Sequence, residues 1–312
     1  MLSEQLLEII SCPKDGSELT LNDSTLETKK KSYPIINGIP VLINENKSLF
    51  NIEHFQNQAE TTFNKKRLSL KKTAKTLLPS ISKNFVAKKN YKFLKHILIK
   101  NNDNPKVLVI GGGIEGSGFE QLIDERIFIV ETDVSFGPKT KVIADAHCLP
   151  FKDKTFDGVI VQAVLEHVLD PKICVNEIAR VIKDNGYVYA ETPFMQQVHM
   201  APYDFTRFTY LGHRRLFSHF SVVKSGSAIG PGSALAWSYL YFLMSFSNSR
   251  IIKYALATFA FLTSFWLKYF DYLLINKVDS LDAASAYFFI FKKMKTPVPD
   301  KEIINDYKGS NF

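Results

Sequence analysis

Residues 106–118, KVLVIGGGIEGSG, run four β-branched or leucine side chains straight into three consecutive glycines. A continuous apolar run bounded by glycine is the pattern of a strand buried on both faces of a parallel sheet. Glycines at the turn admit positive φ and let a ligand approach the backbone, while the free N–H groups of an ensuing helix point at the same spot. The stretch predicts a strand, a tight turn and a helix from Ser117, with a nucleotide or nucleoside over the turn.

Two cofactors fit such a turn. Gly111, Gly113 and Gly116 spell GxGxxG, with Glu131 about twenty residues past Gly111, the dinucleotide fingerprint that an NAD-dependent oxidoreductase would use. An S-adenosylmethionine site also needs glycines after the first strand and an acid after the second, to grip the ribose hydroxyls. Working outward, strand-like and helical segments alternate. Strands are expected at 107–110, 127–130, 142–144, 159–162 and 187–191, and a helix at 172–183 presents Cys174, Ile178, Val181 and Ile182 on one face. Segments 221–226 and 286–292 complete the set as a closing antiparallel hairpin. The fold class is α/β, a doubly wound, mostly parallel seven-stranded sheet.

With 312 residues, 46% hydrophobic and 22% charged, the chain can bury one core and a smaller appendage. Three cysteines, at 12, 148 and 174, have no disulfide or metal-ligand spacing, so no metal is expected. The start, MLSEQLLEII, is acidic and unlike a secretory signal, which points to a cytoplasmic protein. The net charge of +8 is uneven: residues 61–100 hold twelve Lys or Arg and no Asp or Glu. Such a segment suits anionic lipid headgroups or nucleic-acid phosphates, or is a solvated helical linker.

Four regions follow: a small module at 1–44, a basic helical linker at 45–104, the main domain at 105–296 with a helical apolar insertion at 228–282, and a tail at 297–312. The module, with CPKDG at 12–16 and YPIINGIPVLI at 33–43, resembles the short zinc-ribbon-like domain that precedes many bacterial methyltransferases. Asp15 stands where that family has its second cysteine, and no later pair follows, so the module reads as a metal-free packing or docking unit or as an N-terminal cap.

Residues 144–151 (ADAHCLPF), 155–171 (TFDGVIVQAVLEHVLDP) and 180–193 (RVIKDNGYVYAETP), together with the glycine turn, resemble class I S-adenosylmethionine-dependent methyltransferases of the type-11 group. The resemblance spans about 105–225. It implies a Rossmann-like methyltransferase in which Asp145 and Ala146 meet adenine, Asp133 holds the ribose hydroxyls with Glu131 as the rival, and Gly111 and Gly113 pass under the methionine portion. Gln162 ends the fourth strand, where ligands gather in open α/β sheets. The chain departs from the pattern at Val109, usually acidic, and at Glu115, usually glycine, with Gly116 one step later. Glu115 would face the methionine end or lie on the surface, and these departures leave open a methyltransferase-like binding protein without activity.

Residues 192–209, TPFMQQVHMAPYDFTRFT, resemble the loop of a subgroup associated with cell-surface glycans. The resemblance makes His199 a base for an acceptor oxygen or nitrogen and Arg207 an anion clamp or the orienter of Asp204. The alternative is a structural loop with Asp204 and Arg207 paired. His167, in LEHV, is a second candidate base or a loop stabiliser, and His147, His213 and His219 read as surface or structural. A small-molecule, lipid-like or lipid-linked glycan acceptor is expected, and nucleic acid is not.

In the insertion, the uncharged stretch 254–267 is shorter than the roughly 20 residues that cross a bilayer. It reads as two helices, broken at 248–250, lying in a membrane interface, packed on the protein's own sheet, or packed on a second subunit of a homo-oligomer. An anionic inner membrane face, met peripherally, is the partner surface that the basic segment and the insertion suggest together.

Overall fold

The computed structural model describes residues 2–57, 61 and 78–310. The helical pattern expected over 45–104 and the basic run 61–100 lie partly outside the described residues.

The chain opens with α1 (Glu4–Ile9), capped by the Ser3 hydroxyl on the Leu6 N–H. An antiparallel four-stranded sheet follows, β1 (Thr20–Asn22), β2 (Thr25–Glu27), β3 (Ser32–Ile36) and β4 (Ile39–Pro40). After it come α2 (Ile52–Gln56) and α3 (Ala87–Asn101). Cys12 is buried, with its sulfur 3.3 Å from the Tyr33 hydroxyl. Asp15 accepts from the Ser17 hydroxyl (2.6 Å) and N–H (3.1 Å) instead of facing a metal.

The main sheet contains β5 (Lys106–Ile110), β6 (Phe128–Asp133), β7 (Val142–Ile143), β8 (Phe156–Gln162), β9 (Ile182–Pro193), β10 (Phe220–Ile229) and β11 (Ala286–Lys293). Their order is β10-β11-β9-β8-β5-β6-β7. β5 to β9 pair in parallel, whereas β11 runs antiparallel to both β9 and β10, as the closing hairpin requires. The small module covers the β7 edge: Val41 bridges Ile143, and the Leu42 N–H donates to the Ile143 carbonyl at 2.9 Å. An edge strand with its ladder covered in this way is closed to pairing with another chain.

One face of the sheet packs Leu108, Ile110, Val159 and Val161 against Cys174, Val175 and Ile178 of α4 (Pro171–Val181). Asp170 caps α4 through the N–H groups of Lys172 and Ile173, and Pro171 begins it. The helix ends at Val181, two residues earlier than expected, because Ile182 already has extended backbone and opens β9. The other face packs Val107, Val109 and Ile160 against Tyr91, Leu94 and Leu98 of α3.

The helix expected from Ser117 is a single 3₁₀ turn, Phe119–Gln121. Gly118 lies in the left-handed region (φ 85°), where a helix cannot begin, and the next turn closes on the Asp124–Arg126 pair. Phe119 packs edge-on against Tyr91, so α3 covers the sheet where that helix would have lain.

After α5 (Tyr210–Leu216) and β10, the insertion forms three helices where two were expected: α6 (Pro231–Met244), α7 (Arg250–Ser264) and α8 (Leu267–Leu274). The extra break follows from local donors. The hydroxyls of Thr263 and Ser264 bond back to Phe259 and Ala260, and the Trp266 indole N–H takes the Thr263 carbonyl at 2.7 Å. Buried Asp271 of α8 accepts from the Gly232 and Ser233 N–H groups and the Ser233 hydroxyl, which caps α6. A last helix, α9 (Asp300–Asn305), packs by α5 through the Arg215–Asp300 pair.

Candidate active site

The carboxyl ends of β5, β6, β8 and β9 converge, and most of the residues singled out by the sequence stand there. Gly111 has φ 72°, and any Cβ on it would strike Val164 of the loop after β8. The Gly113 N–H donates to Asp133 Oδ2 at 3.0 Å, which ties the glycine turn to the end of β6. Burial pushes the Asp133 carboxyl up to about 6, against the lowering effect of N–H donors from Gly113, Ser135 and Val134. Glu131, two residues earlier on β6, has its carboxylate 3.0 Å from the Lys141 ammonium. Asp133 therefore stands at the glycine turn, while Glu131 is engaged with a lysine.

The departures from the family pattern have local reasons. Val109 is buried in the α3 face of the core, and Glu115 is an exposed partner of Lys139 at 3.0 Å. Gly116 lies against the Gln162 side chain.

Asp145 is buried beside Ala146, and its oxygens are already engaged. Ser48 donates at 2.6 Å, the His147 N–H at 2.9 Å, and His147 Nδ1 stands 2.6 Å away. Burial pushes its carboxyl up, but the His147 and Ser48 hydrogen bonds outweigh that and hold it below the usual range. His147 Nε2 accepts from the Asp170 N–H at 3.1 Å, so this histidine is a structural bridge.

Gln162 belongs to a network that the sequence did not reveal. Its amide donates to Glu191 Oε2 at 2.7 Å and accepts from the Tyr91 hydroxyl at 2.8 Å. Glu191, at the end of β9, also accepts from Asn84 (3.0 and 3.2 Å) and from the Tyr189 hydroxyl. Burial raises the Glu191 carboxyl above its ordinary value. Asn84 and Tyr91 come from the start of α3 and the turn before it, far from Glu191 in sequence, whereas Tyr189 stands two residues before it on β9.

The loop 192–209 is held from within. Arg207 pairs with both Asp204 oxygens and donates to the carbonyls of Gln196 (2.9 Å), Gln197 (3.1 Å) and Thr206 (3.0 Å). With those donors spent, Arg207 is the loop's own brace rather than an acceptor clamp, the arrangement of the structural alternative. The His199 N–H donates to Asp204 Oδ2 at 2.6 Å, and His199 Nδ1 lies 3.4 Å from an Arg207 nitrogen. The His199 backbone is thus anchored to the Asp204–Arg207 brace.

His167 and His199 meet edge to face with centroids 4.8 Å apart. His167 Nδ1 is 2.5 Å from the Tyr203 carbonyl, and Nε2 of each histidine faces Glu166 Oε1, at 3.6 and 3.7 Å. Glu166 is fully buried, its backbone carbonyl takes the Phe205 N–H, and neither carboxylate oxygen has a hydrogen-bond partner. Burial pushes its carboxyl up to about 8 and lowers both histidines. The sequence singled out His167 and His199 but passed over Glu166, whose one signal is an acid inside the apolar run VLEHV.

Residues 117–190 match the family described as "Methyltransferase domain". Over these residues the main domain is similar to methyltransferase domains. The matched segment and the strand order with its antiparallel β11 carry that likeness, and the shortened turn after GxGxxG lacks the helix of a dinucleotide fold. No curated protein matches the chain at a significant level.

Solved structures resemble the methyltransferase only in general chain path. A candidate sarcosine dimethylglycine methyltransferase from Galdieria sulphuraria is 13% identical over 66% of this chain and 86% of its own, with TM-score 0.42. YcgJ of Bacillus subtilis is 13% identical over 65% and 99%, with TM-score 0.39. Phosphoethanolamine N-methyltransferase 2 of Haemonchus contortus, solved with phosphomonomethylethanolamine and S-adenosylhomocysteine, is 16% identical over 64% and 52%, with TM-score 0.39.

Proposed function

We propose that this methyltransferase acts on an oxygen or nitrogen of a lipid-like or lipid-linked saccharide acceptor, at an anionic membrane surface that it meets peripherally. S-adenosylmethionine supplies a methyl group on a sulfonium. Asp133 would hold the ribose hydroxyls, Asp145 and Ala146 the adenine, and the 111–113 turn the methionine portion, because only a chain without Cβ atoms fits between Val164 and Asp133. With the cofactor bound, the acceptor's lone pair would form the new bond to carbon as the carbon–sulfur bond broke, leaving the electron pair on sulfur and releasing the acceptor's proton to solvent. Such a transfer needs little acid catalysis, so alignment in a dry pocket supplies much of the rate.

One observation carries the acceptor class. The loop 192–209 is bonded to the insertion: the Tyr241 hydroxyl of α6 donates to the Val198 carbonyl at 2.9 Å, and Gln197 reaches Ser238 at 3.2 Å. α7 and α8 turn Ile251 (82% exposed), Tyr254 (76%), Tyr272 (73%) and Leu273 (66%) to the outside, far more apolar surface than a solvated helix needs. Among the described residues no single helix is long and apolar enough to cross a membrane, and α7 and α8, which pass together on length and composition, are bent by 43°. A hairpin in the interface plane fits these features.

The basic segment adjoins the same surface. Ile81 packs in the α6–α7 core, Lys268 donates to the Ser80 carbonyl at 2.5 Å, and Phe85 meets Tyr272 edge-on. α3 then exposes Lys88, Lys89, Lys92 and Lys100. Each basic residue near an anionic bilayer adds on the order of 1 kcal/mol, falling with salt.

Vesicle flotation tests the reading. Binding should require anionic lipid, weaken in high salt, and fall further in Trp266→Ser/Phe270→Ser, whose parent side chains are exposed whereas Phe265 packs inward. Equal flotation with neutral vesicles, or none with anionic ones, would overturn it.

A further inference from the structure

We propose that Glu166, His167 and His199 form a binding site for one divalent transition-metal ion, with zinc the best fit, at the junction of the loop after β8 and the loop 192–209. One oxygen of Glu166 and one ring nitrogen from each histidine lie within 4.8 Å of one another. Around an ion with ligands at about 2.1 Å, neighbouring donors of a tetrahedron are about 3.4 Å apart. The observed Nε2 to Oε1 separations, 3.6 and 3.7 Å, need only a small contraction to meet that.

Three independent features aim these groups at a common point. The Glu166 carboxyl is fully buried and has no hydrogen-bond partner on either oxygen, so its ionised form costs several kcal/mol unless a cation takes it up. His167 Nδ1, 2.5 Å from the Tyr203 carbonyl, must carry its hydrogen, leaving the Nε2 lone pair to face Glu166. His199 has a carboxylate behind it: Asp204 Oδ2 lies 3.5 Å from Nδ1. When His199 ligates through Nε2, its hydrogen moves to Nδ1 and would pass to Asp204 in place of the Arg207 contact at 3.4 Å, the carboxylate–histidine–metal arrangement that fixes a ligand ring.

Two imidazoles and one carboxylate suit zinc, cobalt or iron and are too poor in oxygen for calcium or magnesium. Three protein ligands leave at least one position open. The histidine side chains, 15% and 29% exposed, mark the side from which a further ligand would enter. The ion's role as the holder of the acceptor oxygen or nitrogen rests on the proposed function above, whereas its binding does not.

The test uses full-length protein stripped with chelator and titrated with Co²⁺ and Zn²⁺ by calorimetry and by the visible cobalt spectrum, beside Glu166→Gln and His167→Gln. Wild type should take up one equivalent of each ion and give a cobalt spectrum of low coordination number. Each substitution should weaken binding on the order of 100-fold. Thermal melting checks the fold of both variants, and Glu166→Gln, which replaces a buried carboxyl by an amide of the same shape, keeps the test valid if His167→Gln is unstable. Wild type that binds no ion, or that binds it no better than folded Glu166→Gln, overturns the proposal. S-adenosylhomocysteine titrated into the same samples reports separately on the methyltransferase reading, since none of the three residues lies in the glycine turn or at Asp133 or Asp145.

Discussion

Two buried glutamates close the ends of neighbouring strands in opposite ways. Glu191, at the end of β9, accepts from Asn84, Gln162 and Tyr189. The carboxyl group of Glu166, in the loop after β8, accepts from none of the described residues. The first is an internal clamp whose burial is offset by its donors. The second carries its desolvation uncompensated, which a fold retains only where something else meets the charge. The difference separates the part of the site that the chain completes by itself from the part that needs a ligand.

Stability measurements break or sharpen this contrast most directly. Glu191→Ala strands donors from three side chains and should lower unfolding stability by about 3 kcal/mol in urea denaturation. Glu166→Gln removes an unpartnered buried acid that must bind a proton on folding at neutral pH, so metal-free protein should be no less stable and is expected to gain about 1 kcal/mol. Comparable losses in both variants would mean that the two acids are alike.

The cofactor side should respond next. Asp133→Ala should weaken S-adenosylhomocysteine binding by about 1–3 kcal/mol, and Asp145→Ala by the lower end of that range, because Ser48 and His147 already occupy its oxygens. Calorimetry that finds both unchanged removes the pocket assignment. A loss confined to Glu131→Ala shifts the ribose contact two residues up β6.

Asp133 also sets a pH dependence. Its carboxyl, ordinarily near 3.8, is pushed up to about 6, so the native state holds the proton more tightly than the unfolded chain does. The stability contributed by this group is full below about 4 and is lost as pH rises through about 6. Melting scans between those values should slope downward with pH, and Asp133→Asn should flatten the slope. Ionised Asp133 is the better acceptor for ribose hydroxyls, so cofactor affinity should climb over the same window.

The smallest stability effect is expected at the insertion's outer face. Ile251→Ser, at an 82% exposed position, should change unfolding stability by no more than about 0.5 kcal/mol in solution. Asp271→Ala, which uncaps α6, should cost several times that. A large loss for Ile251→Ser would show that α7 is packed against another protein surface, not waiting for lipid.

Much of the architecture was legible because it is periodic or local. The apolar run 107–110, the alternation of strands with α4 and the closing hairpin all sit where hydrophobic spacing puts them, since burial on a sheet face selects residues one by one along the chain. Asp133 was singled out by the resemblance of ETDVS to the methyltransferase pattern, with Glu131 as its rival, and the structure sets its carboxylate against the Gly113 N–H. The lost helix after Gly118 and the third helix of the insertion were not. Each depends on a left-handed backbone or on hydroxyl and indole groups bonding back to carbonyls, effects that outweigh propensity at single residues.

The sequence alone determined the methyltransferase sheet and the glycine turn, because those follow from short-range pattern. Only the tertiary structure decided which polar residues are spent and which are free. Arg207 turned out to be consumed by its own loop, and Asp145 to share its oxygens with Ser48 and His147. Glu166 was left without a partner, facing two histidines, one of them from a different loop. The physical reason is that satisfaction of a buried polar group is a property of its three-dimensional neighbours. Donors such as Asn84 for Glu191, or His199 beside Glu166, come from elements that no spacing rule connects.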